Sequence, residues 1–511
     1  MTPPPASGGV TLTLDIPNSA LDPKGYSEVD VTLHEPAGDI VRTSPVDSNG
    51  AFDLGEIDPA DSVWVEASLR TESGTAVGYG RTATEAPLAA GDTIVVPIRR
   101  PIVYVSGLFS TDPDGNPNTN NDHWTSVPAT FADLSTSAPL DGSTTVGTNA
   151  VMMVSGGPTL FMIEQGTSDP NGTLMGAASI QPVSTGDHSL SAALTGTMQG
   201  AVIDGAGTDD GAFLVIGTTT QLFVIDTASG AAMQVGTGAF SRITIVNHGD
   251  GTSTAFAVKS RGDSTKTCAQ TAEIDAVDLG AGVQPAFRMV ATGSFTDVAA
   301  DANTAYYVDC DGELGEITAA GLHPIKTGLG YATALATSNG QAYIGVETIG
   351  VDQNMDTTVA AQVQVLATPL ASSETSDNPR TLFSESREQV VEASDFQGVQ
   401  RALLAHTAVF GHLEVGAGGD YVAMSLESTF DGAAIPDANF PQMSIQTDEM
   451  YVFDAASGGI VERYRSWCDG VLLELPSDIQ NWGCATSAGQ SAPANGKDHH
   501  IGSMTFLFGK K

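Results

Sequence analysis

The sequence predicts an all-β protein. Short runs rich in Val, Ile, Thr and Tyr alternate with turns supplied by 57 Gly and 26 Pro, while aromatics make up only 6%; this is the texture of brief strands joined by tight connections. Strand–turn–strand units then recur at a spacing of about 35–55 residues through most of the chain, a period that builds arrays of small sheets. At 511 residues the chain also exceeds the ~250–300 at which a single core stops growing, so two or more domains or one large closed β array are expected. No apolar run approaches the ~18–20 residues of a membrane helix.

Residues 1–8, "MTPPPASG", read as a flexible tether. The stretch lacks the basic and apolar regions of a signal peptide, so the expectation is a mature chain whose native N-terminus carries a lipid anchor. Its composition resembles the segment that follows the lipidated cysteine of bacterial surface lipoproteins.

Residues 9–100 alternate strand-like runs with turns. In "VDVTLHE", Val29, Val31 and Leu33 face one side and Asp30, Thr32 and His34 the other, which buries one face. "DSNGAFDL" sets Asn49-Gly50 between two strands, a hairpin signal. The succession "VDVTLHEPAGDIV", "DSNGAFDLGEI" and "SVWVEASL" resembles the carboxypeptidase-regulatory-like (transthyretin-like) β-sandwich over about ninety residues. That resemblance implies a spacer or adhesion unit and not a catalyst. His34, the only histidine of the segment, reads as a surface residue.

From residue 101 to 511 the grammar is a small-residue strand, a Gly turn and an aromatic or β-branched strand. Two copies close on the same turn, "QLFVIDTASGAAMQV" and "MYVFDAASGGIVERY". Six such units leave 101–140 and 466–511 over. Pairing of these ends, with "SMTFLFGKK" as the last strand, completes a seventh unit and removes both sheet edges. The expectation is a β-propeller of about seven blades, its ring closed by N- and C-terminal strands. It resembles the broad WD40-like or quinoprotein-like superfold, although the "GH…WD" mark of WD40 is absent. Within 384–410, Val390, Val391, Val399, Leu403 and Leu404 fall near helical spacing, which predicts a short helix or an insertion.

The balance of 20 Lys+Arg against 60 Asp+Glu gives a formal charge of −40. Phosphate backbones and anionic lipid surfaces are repelled by it, which excludes nucleic acid as a partner. The charge is dispersed, as on a solvated surface in a salty or cation-rich exterior, or as a docking face for a basic partner. Cys268, Cys310, Cys468 and Cys484 have no zinc or CxxC spacing. Their even number points to disulfides in an oxidising exterior, paired in sequence order among three possible connectivities, with buried thiols as the other reading.

Asp112, Asp114, Asn116, Asn118, Asn120 and Asp122 place oxygens at alternate positions, as ligands of a hard cation would be placed. The run resembles the calcium loops of dockerin or thrombospondin type 3 repeats, and implies structural Ca2+. It departs from them in the early Gly115 and in His123 where an acid should close the loop. The other reading is an uncoordinated loop crossing between domains. "DCDGELGE" (309–316) as an ion site, Arg261-Gly262-Asp263 as an adhesion tripeptide, the adjacent His499 and His500 as metal ligands, and His412 with Glu414 on one strand face are weaker candidates; turn chemistry, chance occurrence, opposite strand faces and a polar strand face are the respective readings preferred. No GxSxG, HExxH, P-loop or Rossmann fingerprint occurs.

These readings converge on an extracellular or outer-surface protein of a bacterial envelope, a non-catalytic scaffold that recognises a protein or a glycan. The alternative is an extracellular propeller enzyme: a hydrolase, a lyase or a quinone-type oxidoreductase. A deep central pocket of convergent charges marks the enzyme, and a channel plugged by side chains marks the binder.

Overall fold

The computed structural model describes residues 10–16, 21–35, 38–47, 52, 60–83, 86–89, 91–111, 123–133, 145–164, 178–260, 272–301, 303–318, 321–348, 361–371, 378–392, 400–431, 444–468, 480–481 and 499–508. Within them the chain is all-β, interrupted by one 3-10 turn at Ala417–Gly419. Among the described residues, no helix is long and apolar enough to cross a membrane.

The N-terminal strands form two sheets. One runs in the order Ile40–Pro45, Glu28–His34, Ala60–Arg70, Ala76–Arg81, with Ala86–Leu88 also on Ala60–Arg70; the other pairs Thr11–Asp15 with Thr93–Pro97 in parallel. The alternation read from "VDVTLHE" is present. Val29, Val31 and Leu33 are at most 1% exposed and share a core with Val65, Leu69, Val96 and Ile98. Asn49-Gly50 lies outside the described residues.

Four sheets of four antiparallel strands follow, each in chain order, over 202–237, 239–293, 295–326 and 331–386. A six-stranded sheet spans 388–481. The last strand, His499–Phe506, is the outer member of a seven-stranded sheet, antiparallel to Ile102–Thr111 with Phe506 opposite Val103. The two ends of the region therefore pair, as the leftover segments predict.

A register shift recurs on seven strands: between Ala150 and Met152, Val202 and Asp204, Ser241 and Ile243, Phe295 and Asp297, Ala332 and Ala334, Phe410 and Leu413, and Ile501 and Ser503. A bulge releases residues from the ladder and sharpens the local twist. The same seven strands pack in a circuit. Thr145–Gly156 touches Val202–Gly207, which touches Ala239–Asn247; the contacts continue through Phe295–Asp301, Tyr331–Ser338, Gln400–Gly416 and His499–Phe506, and return to Thr145–Gly156.

Buried acceptors bridge strands that are not ladder partners. Ile243 N–H donates to Asp204 Oδ2 at 2.6 Å, Leu335 N–H to Asp297 Oδ2 at 2.8 Å, Phe410 N–H to Glu347 Oε1 at 2.8 Å and Met153 N–H to Ser503 Oγ at 2.9 Å. These bonds satisfy amides beside the bulges, and the carboxylate acceptors strengthen three of the four. Arg242, in a bulge and at φ 55°, reaches further. Its guanidinium donates to the carbonyls of Gly411 and Phe410 on a strand that is not its neighbour in the circuit, and its Nε lies 4.0 Å from Asp297.

The two Asp-x-x-Ser-Gly copies fold alike. Asp226 Oδ1 accepts from Ala228 N–H and Ser229 N–H, and Asp454 Oδ1 from Ser457 N–H; Gly230 and Gly458 follow at φ 70° and 74°, where a side chain would be strained. Among the described residues of 384–410 the expected helix does not occur, and Val399 lies outside them. Val390 and Val391 lie on one strand, Glu388–Glu392, and Leu403 and Leu404 on the next, with Gln389 opposite Leu403. The apparent helical period comes from two hairpin arms read as one segment.

The N-terminal sheets dock on the rest of the chain through buried charge. Arg81 and Asp209 form an ion pair at 2.7 Å with side chains 5% and 9% exposed. Arg81 also donates to the Phe508 carbonyl at 2.7 Å, and Tyr79 meets the Phe508 ring edge-on. Arg70 pairs with Asp420, and the Tyr421 hydroxyl donates to the Ala76 carbonyl.

Candidate functional site

A cavity of about 760 Å³ opens along this junction. Its first wall begins with two neighbouring strands on which His34 and Trp64 are register partners. Both occupy the polar face of the alternation, and their rings stack at 3.8 Å and 10°. The His34 Nδ1 lies 2.9 Å from Asp39 Oδ1 and its Nε2 lies 3.5 Å from Glu66 Oε2. Glu66 in turn accepts the Tyr79 hydroxyl at 2.6 Å. The facing wall is supplied by Asp301, Asn303, Tyr306 and Asn339, at the ends of strands in the 295–326 and 331–386 sheets. A second cavity of about 750 Å³ shares Asn303 and Thr304 with the first and extends past His248, Arg288 and Met289.

The electrostatics follow from the packing. Burial alone would lower the His34 pKa, but Glu66 and Asp39 more than offset it and raise the value above 6.5. Tyr306 is pushed up to about 12 by burial and then by Asp301, so its hydroxyl stays neutral. Tyr79, wholly buried beside Glu66, is held well above the ordinary range.

A pH experiment reads the His34 contacts directly. Because its folded pKa lies above the unfolded one, its contribution to stability is fully present below about 6.5 and is lost as pH rises through the folded value. The stability difference between wild type and His34→Gln is expected to be largest in mild acid and to shrink at alkaline pH. A difference that stays flat with pH in denaturant titrations would contradict the pairing with Asp39 and Glu66.

The residues singled out in the sequence fall elsewhere. Asp112, Asp114, Asn116, Asn118, Asn120 and Asp122 lie outside the described residues, as do Arg261-Gly262-Asp263. Thr111 and His123 on either side of the acidic run are register partners in one sheet. The run therefore connects neighbouring strands and does not cross between domains. Asp309 Oδ1 accepts the N–H groups of Asp311 and Glu313 at 3.1 and 2.8 Å, which makes "DCDGELGE" a self-bonded turn. His412 and Glu414 are buried, at 8% and 1% exposed. Among the described residues, no group of three or more His, Cys, Asp or Glu is placed to hold a metal ion. Cys310 is buried, while Cys268 and Cys484 lie outside the described residues. His34, read as a surface residue, instead anchors the cleft; its place opposite Trp64 on a polar strand face was the available signal, and strand pairing was needed to reveal it.

No family model matches the chain, and no curated protein matches it. Among solved structures it is similar to hydrazine synthase of Kuenenia stuttgartiensis (15% identity, 64% of this chain and 68% of that one, TM-score 0.29). It is also similar to a chain of a nidogen/laminin complex (12% identity, 54% and 92%, TM-score 0.29) and to the computationally designed Ika8 protein (11% identity, 69% and 99%, TM-score 0.30).

Proposed function

We propose that this chain is a secreted or surface-exposed binding scaffold: a seven-bladed β-propeller capped by a transthyretin-like sandwich, which holds a protein or glycan ligand in the cleft between them. The circuit of seven bulged strands supports the propeller, since radial sheets pack first strand to first strand. Reach of Arg242 across to the Phe410 and Gly411 carbonyls carries the functional reading. A cationic side chain spanning between non-adjacent sheets fills the middle of a ring, and this leaves the open, aromatic-walled cleft at the rim as the place for a ligand.

Placement outside the cell rests on the formal charge of −40 and on the cysteines. Cys310 N–H donates to the Ser294 carbonyl, and neighbouring Gly293 is the register partner of Ala272. Cys268, four residues before Ala272 in the sequence, is thus within a short chain length of Cys310, in line with a 268–310 disulfide.

Trp64→Ala tests the cleft. It is expected to abolish retention of an envelope glycan or protein ligand while the fold persists, as measured by surface-immobilised binding alongside a melting curve. Undiminished binding by a folded Trp64→Ala protein would sink this assignment.

A further inference from the structure

We propose that the cleft binds an organic cation, an ammonium or guanidinium group borne either by a protein side chain or by a free amine. The proposal rests on the reading of this cleft as the ligand site and specifies its chemistry. Four carboxylates line it, those of Glu35, Asp39, Glu66 and Asp301, against His34 and Arg81 as the basic groups. The Arg81 charge is engaged behind the cleft wall by Asp209 and the Phe508 carbonyl, and His34 is held between two of the acids. The lining therefore keeps an excess of negative charge.

Its distribution matters more than its amount. Glu35, Asp39 and Glu66 stand on the N-terminal wall and Asp301 on the other, so a cation between the walls is approached by opposite charge from both sides in a partly desolvated space. Trp64 and Tyr306 also line it, and aromatic rings, whose faces are negative, favour a cation nearby. Val41, 62% exposed at the cleft, gives an apolar rest for the methylene stem of a lysine, an arginine or an alkylamine. A metal ion fits less well, because the acids are spread over a cavity of about 760 Å³ and do not converge as metal ligands. A neutral sugar would use the aromatic platform but leaves the paired acidic walls without a purpose.

Calorimetric titration of the full chain with three probes tests this: an end-blocked Gly-Lys-Gly peptide, the same peptide acetylated on the lysine, and spermidine. The lysine peptide or spermidine is expected to bind about tenfold or more tighter than the acetylated peptide, and to weaken as salt rises. Asp301→Asn and, on the opposite wall, Asp39→Asn should each weaken it several-fold. Asp39 is exposed, so its variant serves where loss of the Asp301 bond to Gly340 N–H disturbs folding. Preference for the peptide identifies a protein partner, and preference for spermidine a free amine. Equal binding of the acetylated peptide, no binding of either cation, or indifference to both substitutions would overturn the proposal. A neutral glycan whose binding is lost in Trp64→Ala would leave the cleft as the ligand site while removing the cation; cation binding untouched by Trp64→Ala would remove both.

Discussion

Arg81→Ala is expected to destabilise the protein by about 3–5 kcal/mol, because it strands the Asp209 carboxylate in the interior. The pair is largely desolvated, with side chains 5% and 9% exposed, and the Phe508 carbonyl loses its donor as well. Contact is tight on the far side too, since a Cβ on Gly157 would lie 1.9 Å from the Asp209 carbonyl oxygen. The site therefore has little room to relax. Arg81→Lys should recover only part of the loss, as a point charge cannot reproduce the forked geometry. Replacing both partners with apolar residues should recover most of it, because no charge is then left buried alone. Equilibrium denaturation of the four proteins measures these differences. An Arg81→Ala cost below about 1 kcal/mol would place the pair in the solvent-screened class of ion pairs and would contradict rigid docking of the N-terminal sheets.

Phe506→Ala should cost a similar 3–5 kcal/mol, roughly the range for removing a buried ring from a core that cannot collapse around the space. Phe506 is 1% exposed and belongs to a cluster with Tyr104, Met153, Tyr421, Val452 and Phe508, residues drawn from strands at both ends of the chain beyond the N-terminal sheets. A Cβ on Gly416 would approach its ring to 2.4 Å, so Gly416→Ala should push the same ring out of place. Both substitutions should release the His499–Phe506 strand from Ile102–Thr111 before they affect the four-stranded sheets, observable as selective loss of amide protection at the C-terminus. Uniform destabilisation of every sheet, with the last strand still protected, would argue against a closure role for Phe506.

Much of the architecture was legible in the sequence, for specific reasons. Val29, Val31 and Leu33 alternate because one face of their strand is wet. The Asp-x-x-Ser-Gly copies at 226–230 and 454–458 declare identical turns because Asp and Gly are chemically required there. The ends 101–140 and 466–511 were left without partners in the repeat count, and the pairing of His499–Phe506 with Ile102–Thr111 answers that.

Elsewhere local pattern misled. Val390–Val391 and Leu403–Leu404 mimic a helix because each doublet sits on a separate arm of a hairpin. Arg242 gave no warning of its role, since its bulge and its reach to Phe410 are set by strand pairing 168 residues away. The cleft was invisible for the same reason: His34 and Trp64 become neighbours by strand register, and Asp301 joins them only when the N-terminal sheets dock. None of these approaches leaves a spacing in the sequence.

Closure of the ring by the last strand is the proposition on which propeller, cap and cleft all depend, and native-state hydrogen exchange reads it directly. The amides of Met504, Thr505 and Phe506 should exchange only through global unfolding, with the same opening free energy as those of Val103–Val105 and of Leu214–Ile216 in a four-stranded sheet. Rapid exchange of Met504–Phe506 while Leu214–Ile216 remains protected would mean that the array is open at this seam, and the closed ring would be refuted together with the cleft at its rim.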